Sequence, residues 1–168
     1  MTRIGCTGHR ALSPGTRRSV AAAIADVLAA EVDDDLTGLT SLAEGADQIF
    51  AFAVLSAGGQ VHAIIPSEGY EQGFSSSSAR ATYTALLNLA GTTTTLPFTA
   101  PDEDAYLAAG HEVTDCSEIL IAVWDGRDAA GTGGTGDIVA YARERGVDVR
   151  IVWPDGASRE RGAATADP

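Results

Sequence analysis

Short strand-like runs and longer helix-like runs of apolar residues alternate strictly along this chain, and that alternation restricts its folds more than any other feature. Arg3–Thr7 reads as a strand, and Pro14–Glu31 as a helix with Val20, Ile24, Val27 and Leu28 on one face. Leu36–Thr40, Gln60–Ile65, Thr93–Phe98, Glu118–Trp124 and Asp148–Trp153 read as further strands. Helices are expected over Glu44–Ala57, Ala79–Ala90, Pro101–Cys116 and from the end of a Gly-rich loop to Arg145. Gly58-Gly59, Gly91 and Gly146 stand just past helix ends, where a left-handed residue closes the last turn. Strands separated by helices of this length imply a single three-layer α/β domain around a doubly wound, mostly parallel sheet of about six strands. Residues 1–155 are assigned to that domain and residues 156–168, small and polar, to a flexible C-terminal tail.

Charge narrows the partners. Eleven basic residues, all arginine, stand against 23 Asp and Glu, for a net charge of −12. Such a field repels phosphate backbones at long range, so neither nucleic acid nor a membrane surface is expected as a partner. No apolar run nears the roughly 20 residues of a membrane span, and the chain reads as cytoplasmic. The lack of lysine removes Schiff-base chemistry and a phosphate loop ending in Gly-Lys. Cys6 and Cys116 read as reduced, packed thiols. With only His9, His62 and His111 beside them, neither a metal nor a resident cofactor is expected.

In a doubly wound sheet, ligands sit beyond the carboxyl ends of the strands, where strand order reverses. The residues after the first strand are Gly8, His9 and Arg10; Arg10 suits a phosphate or carboxylate, and a surface turn is the plain alternative. After the second strand, Ser41 and Glu44 fit a capping box, followed by Gly45 and Asp47. Either Glu44 or Asp47 alternatively accepts ribose hydroxyls or acts as a catalytic carboxylate. After the third, Tyr70 and Phe74 stand in a polar loop, Ser67–Ser78, with the look of a lid, and would stack on a base or pack on the sheet. After the fifth come Asp125 and Gly126, then the segment Thr132-Gly133-Gly134-Thr135-Gly136-Asp137 opening a helix. Glycines there let N–H groups approach a phosphate at a helix N-terminus; otherwise this is a flexible loop with Asp137 as its cap. His111 and Glu112 read as an ordinary surface pair.

These loops together resemble the SLOG superfamily, named for the Smf/DprA DNA-processing proteins and the LOG phosphoribohydrolases, and in particular a subgroup of small bacterial proteins. The resemblance spans residues 2–154 and rests on Gly8-His9-Arg10, Leu42-Ala43-Glu44-Gly45-Ala46-Asp47, Val123-Trp124-Asp125-Gly126 and Gly133-Gly134-Thr135-Gly136-Asp137. It implies a Rossmann-like fold that binds a nucleotide or nucleotide-derived small molecule, and a homodimer. The LOG enzymes carry Pro-Gly-Gly-x-Gly-Thr-x-x-Glu, whose glutamate serves N-glycosidic cleavage. Here Thr132 stands at the proline, Asp137 at the threonine and Ala140 at the glutamate. The resemblance therefore implies the phosphate cradle without that catalytic group.

A nucleotide-binding or sensing protein is the expectation that follows. The alternative is an N-glycoside hydrolase or transferase acting on a nucleoside monophosphate through another carboxylate, with Glu44, Asp125 and Asp137 as candidates. A third reading, an interaction protein with purely structural glycines, predicts no ligand.

Overall fold

The computed structural model describes residues 1–31, 35–128 and 132–160. Its strands are β1 (Thr2–Gly8), β2 (Leu36–Thr40), β3 (Gln60–Ile65), β4 (Thr92–Thr95), β5 (Ile119–Val123) and β6 (Asp148–Val152). Its α-helices are α1 (Pro14–Glu31), α2 (Ala46–Ser56), α3 (Ser77–Leu89), α4 (Glu103–Asp115) and α5 (Thr135–Glu144). The strands form one sheet in the order β4-β3-β2-β1-β5-β6, and every pairing is parallel. The doubly wound sheet expected from the alternation is thus present, wholly parallel.

Side-chain alternation divides the interior between the two faces of the sheet. On one face, Val20, Ile24 and Leu28 of α1, Phe50 and Val54 of α2, and Tyr83 and Leu86 of α3 pack against Ile4, Cys6 and Ile121. On the other, Ala109 and Val113 of α4 and Ile138 and Ala142 of α5 cover Leu39, Ile64 and Leu120. Inner strand β5 (Ile119–Val123) is wholly apolar because both its faces are covered, whereas the threonines of edge strand β4 are largely exposed. The order reverses between β1 and β5, whose register runs from Ile4 beside Ile119 to Gly8 beside Val123. Both strands therefore end side by side, and their loops open at the same point.

Several element ends differ from the sequence reading for identifiable reasons. Helix α2 starts at Ala46, not Glu44, and its cap is Gly45 rather than Ser41, so the Ser41–Glu44 capping box does not form. Helix α4 starts at Glu103, two residues after Pro101, where Asp102 Oδ1 accepts the Ala105 N–H at 2.9 Å. Strand β4 stops at Thr95, two residues before Pro97, which has no N–H to donate. The expected lid, Ser67–Ser78, is instead part of the wall. It contains a 3-10 turn at Tyr70–Gly73, and Tyr70 is 4% exposed against Phe74, Tyr83 and Tyr106. Residues 157–160, expected within a loose tail, are tied to the loop after β1. Leu12 and Arg159 form an antiparallel bridge, and the Glu160 N–H reaches the Ala11 carbonyl at 3.0 Å. Residues 161–168 lie outside the described residues, as do Ala129, Ala130 and Gly131 of the Gly-rich loop. No helix among the described residues is long and apolar enough to cross a membrane.

Candidate functional site

The loops after β1 and β2 are locked together before they form any site. The Ala46 N–H donates to the His9 carbonyl at 3.2 Å. Gly45 makes this approach possible: its φ is 84°, and a Cβ there would lie 2.6 Å from the His9 carbonyl oxygen and closer still to that of Arg10. Leu42, fully buried, is held at φ 57°, a left-handed conformation that a branched residue enters at a cost of about 1–2 kcal/mol. Its N–H donates to Thr40 Oγ1 at 3.1 Å, and its carbonyl accepts from Gln48 Nε2 at 3.3 Å. The same Gln48 amide donates to the Ala79 carbonyl of α3 at 3.1 Å.

Asp47 lies beneath this loop, 7% exposed, and its Oδ2 accepts the Ala43 N–H at 3.3 Å. Burial pushes its carboxyl up to about 6, against the lowering effect of bonds from Ala43, Thr40 and Ser41 and of the Arg10 charge. Cys6 sits alongside it, and burial first and the Asp47 charge second push its thiol well up. Cys6 is therefore a packed thiol without nucleophilic character. Cys116, the other free thiol, is also raised by burial and by neighbouring Glu112.

A charged cluster closes the other side. His9 Nε2 lies 3.1 Å from both the Asp125 N–H and Asp125 Oδ1. The first contact makes that nitrogen an acceptor and the second a donor, so the tautomer decides between them. Burial first, then the Arg159 charge, hold His9 below its ordinary value, with Asp125 opposing both. Asp125 is 11% exposed at its side chain, and burial works to raise it. The Arg127 N–H at 3.1 Å and the charges of His9 and Arg159 outweigh burial and hold it below the usual carboxylate range. Arg159 Nε is 3.1 Å from Asp125 Oδ2, and its Nη2 is within 2.9 Å of both His9 ring nitrogens. Because those nitrogens point in diverging directions, one donor that near to both rests against the ring rather than along a single lone pair.

Helix α5 begins inside the Gly-rich segment, earlier than its apolar periodicity implies. Gly133 takes φ 83°, and Asp137 turns back from the first turn to accept the Gly133 N–H at 2.8 Å. One oxygen of Asp137 therefore holds the loop's shape, as a cap of the helix start would.

These pieces enclose a cleft of about 540 Å³ at the carboxyl ends of β1, β2 and β5, within the usual range for small-molecule sites. Of the expected residues, Gly8, His9, Arg10, Ser41, Asp47, Tyr70 and the run Thr132–Thr135 line it. Gly45, Asp125, Gly126 and Asp137 do not; Gly45 and Asp125 sit behind the wall and shape it. Glu44 faces a second, smaller cleft of about 280 Å³, which shares Arg10, Ala43, Tyr70 and Tyr106 with the first. Tyr70 is a wall residue of an aromatic cluster rather than a cover. Burial raises its phenol above the range in which it ionises.

Sequence reasoning missed Glu103, Tyr106, Arg127 and Arg159, all of which line the main cleft. Arg127 immediately follows the Trp124-Asp125-Gly126 pattern and was within reach. Tyr106, over whose ring the Arg10 guanidinium lies at 4.9 Å, and Arg159 carry no local signal. Among the described residues Arg10 has no carboxylate partner, and no cluster of His, Cys, Asp or Glu is placed to hold a metal ion.

No protein-family model and no curated protein sequence matches the chain. Solved structures do. DNA processing protein A (DprA) from Streptococcus pneumoniae superposes with a TM-score of 0.68 at 19% identity, covering 93% of this chain and 52% of the other. DNA processing protein A from Helicobacter pylori, described for its single-stranded DNA binding mode, gives 0.67 at 12% identity over 95% of this chain and 68% of that one. The Moco carrier protein from Chlamydomonas reinhardtii gives 0.53 at 16% identity, over 90% and 75%. The chain thus spans about half the length of the pneumococcal protein. The Helicobacter pylori protein overturns the exclusion of nucleic acid drawn above from net charge. Net charge is an average, and three arginines, Arg10, Arg127 and Arg159, gather at the cleft of this acidic chain. The chain thus shares a Rossmann-like fold with these solved structures, the fold its loops led us to expect.

Proposed function

We propose that this protein binds a phosphate-bearing, nucleotide-type small molecule in the main cleft. One observation carries the reading: the N-terminus of α5, with Gly134 and Thr135, faces the same cleft as Arg10, Arg127 and Arg159. Backbone N–H groups and guanidinium groups converging on one cleft in a chain of net charge −12 form a local anion site, because such donors act at contact range while the acidic surface is screened. Asp47, at the base of the cleft, supplies an acceptor suited to a hydroxyl on the same ligand. The similar Helicobacter pylori protein is described for its single-stranded DNA binding mode, so a short oligonucleotide belongs among the ligands tested.

The competing reading, N-glycoside cleavage, rests on Asp47 and its raised pKa, since Asp125 and Asp137 are engaged in structural bonds and Glu44 faces the smaller cleft. The test is a thermal-shift series with nucleoside mono-, di- and triphosphates, NAD, ADP-ribose and a short single-stranded oligonucleotide. Chromatography of each mixture detects released base. A ligand at about 100 times its Kd adds about 2.7 kcal/mol, a rise of roughly 5–10 °C for a chain of this size. Gly134→Glu is expected to abolish that rise. Gly134 sits at φ −72°, ψ 171°, which any residue adopts, so the variant changes charge and bulk without straining the backbone. Released base favours the hydrolase, and no shift with any ligand overturns the binding reading.

A further inference from the structure

We propose that Arg159, on the segment that follows β6, is the arginine that receives the ligand's phosphate, and that this segment is a working wall of the site. The inference deepens the proposed function and rests on it. Four observations carry it. The segment is docked rather than loose: the Ser13 N–H donates to the Ser158 carbonyl at 3.2 Å, the Ser158 N–H to Thr16 Oγ1 at 2.8 Å, and the Glu160 N–H to the Ala11 carbonyl at 3.0 Å. Thr16 is 3% exposed, so one of these anchors is a buried hydroxyl. Arg159 lines the main cleft and Glu160 the smaller one, so consecutive residues of one short strap reach both. Finally, Arg159 is 48% exposed at its side chain and is held by a single carboxylate, Asp125.

The chemistry of the exchange follows from those partners. The guanidinium side of this pair is half exposed, so water can take its place when it turns away, while Asp125 keeps the Arg127 N–H and His9. A phosphate carries more charge than Asp125 and presents two oxygens to the guanidinium fork, so it competes well for the same group. The α5 N-terminus, on the same cleft, favours the same anion. Asp125 then serves as a stand-in anion that holds Arg159 in place, with His9 against it. It retains the Arg127 N–H when the guanidinium turns to the ligand. Ligand binding and strap docking accordingly reinforce each other.

The test uses the full chain, with ADP and inorganic pyrophosphate as probes, calorimetric titration, and hydrogen exchange at the Ser158 and Glu160 amides. Arg159→Gln is expected to weaken binding at least tenfold, and Arg159→Lys, which keeps the charge and loses the fork, by less. Asp125→Asn keeps an oxygen for the Arg127 N–H but frees Arg159, so it is expected to tighten binding. That gain should shrink in the Arg159→Gln background, a coupling that a purely structural Arg159 would not produce. Probe binding should slow exchange at both amides. If the wild-type protein binds and Arg159→Gln binds equally well, or if the Asp125→Asn effect is the same in both backgrounds, the role of Arg159 is refuted and the cleft reading survives. If neither probe binds the wild-type protein, the role given to Arg159 is overturned, and the binding reading is decided by the wider ligand series.

Discussion

Above pH 7 the Asp47 carboxyl is ionised inside the fold, and the protein is less stable for it. Its pKa is raised from 3.8 to about 6, a little over two units, each equivalent to about 1.4 kcal/mol. The sign follows from linkage. Unfolded, Asp47 loses its proton near pH 4; folded, it keeps it to about pH 6. The contribution of the buried neutral carboxyl is therefore present below pH 4 and lost as pH rises through 6. The amount at stake is about 3 kcal/mol, a large share of a typical domain's stability. Asp47→Asn removes the titration while leaving one oxygen for the Ala43 N–H. Its new amide donors lack a prepared partner, at a cost of about 1 kcal/mol. The variant should be slightly less stable than the wild type at pH 4 and about 2 kcal/mol more stable at pH 8. Urea unfolding of both proteins at pH 4, 5, 6, 7 and 8 measures the difference, in which the other carboxylates cancel. A difference that stays flat with pH, or that grows against the variant as pH rises, would refute the account. Where Asp47 meets a ligand hydroxyl, the same variant binds more weakly while folding better, the trade expected of a functional group held in an unfavourable place.

Two further substitutions probe how the site is built. Gly45→Ala places a Cβ against the His9 and Arg10 carbonyls at a φ of 84°, and should cost about 3 kcal/mol or more, read as a fall in Tm of at least 6 °C. A loss under 1 kcal/mol would show that the two loops part easily. Ser67 is 1% exposed, and its hydroxyl has no hydrogen-bond partner among the described residues. Ser67→Ala should leave stability unchanged or raise it by up to about 1 kcal/mol in denaturant titration; a clear loss would reveal a partner for the hydroxyl.

Much of this architecture was written in local pattern. Five of the six strands and the five α-helices follow from apolar periodicity, which is a local property because burial on one face or two leaves its mark every two or 3.6 residues. The cleft after β1, β2 and β5 lies where topology led us to look, and Gly8, Gly133, Gly134 and Gly136 line it. What failed were readings in which a side chain had more than one possible partner. Ser41 and Glu44 have the spacing of a capping box, yet Gly45 at a left-handed φ starts α2 two residues later and turns Glu44 to another cleft. Asp137 and Asp125 could be read as caps or as ligand-facing carboxylates, and only the fold shows the Gly133 N–H on one and His9, Arg127 and Arg159 on the other. Only tertiary structure brings Arg159 to His9, 150 residues earlier, or Tyr106 beneath Arg10. The sequence by itself determined the layers, their order of appearance and the strand ends where a ligand would sit. The tertiary structure decided which charges are exposed, which are paired and which arginines face the cleft, because those depend on contacts between segments that share no local pattern.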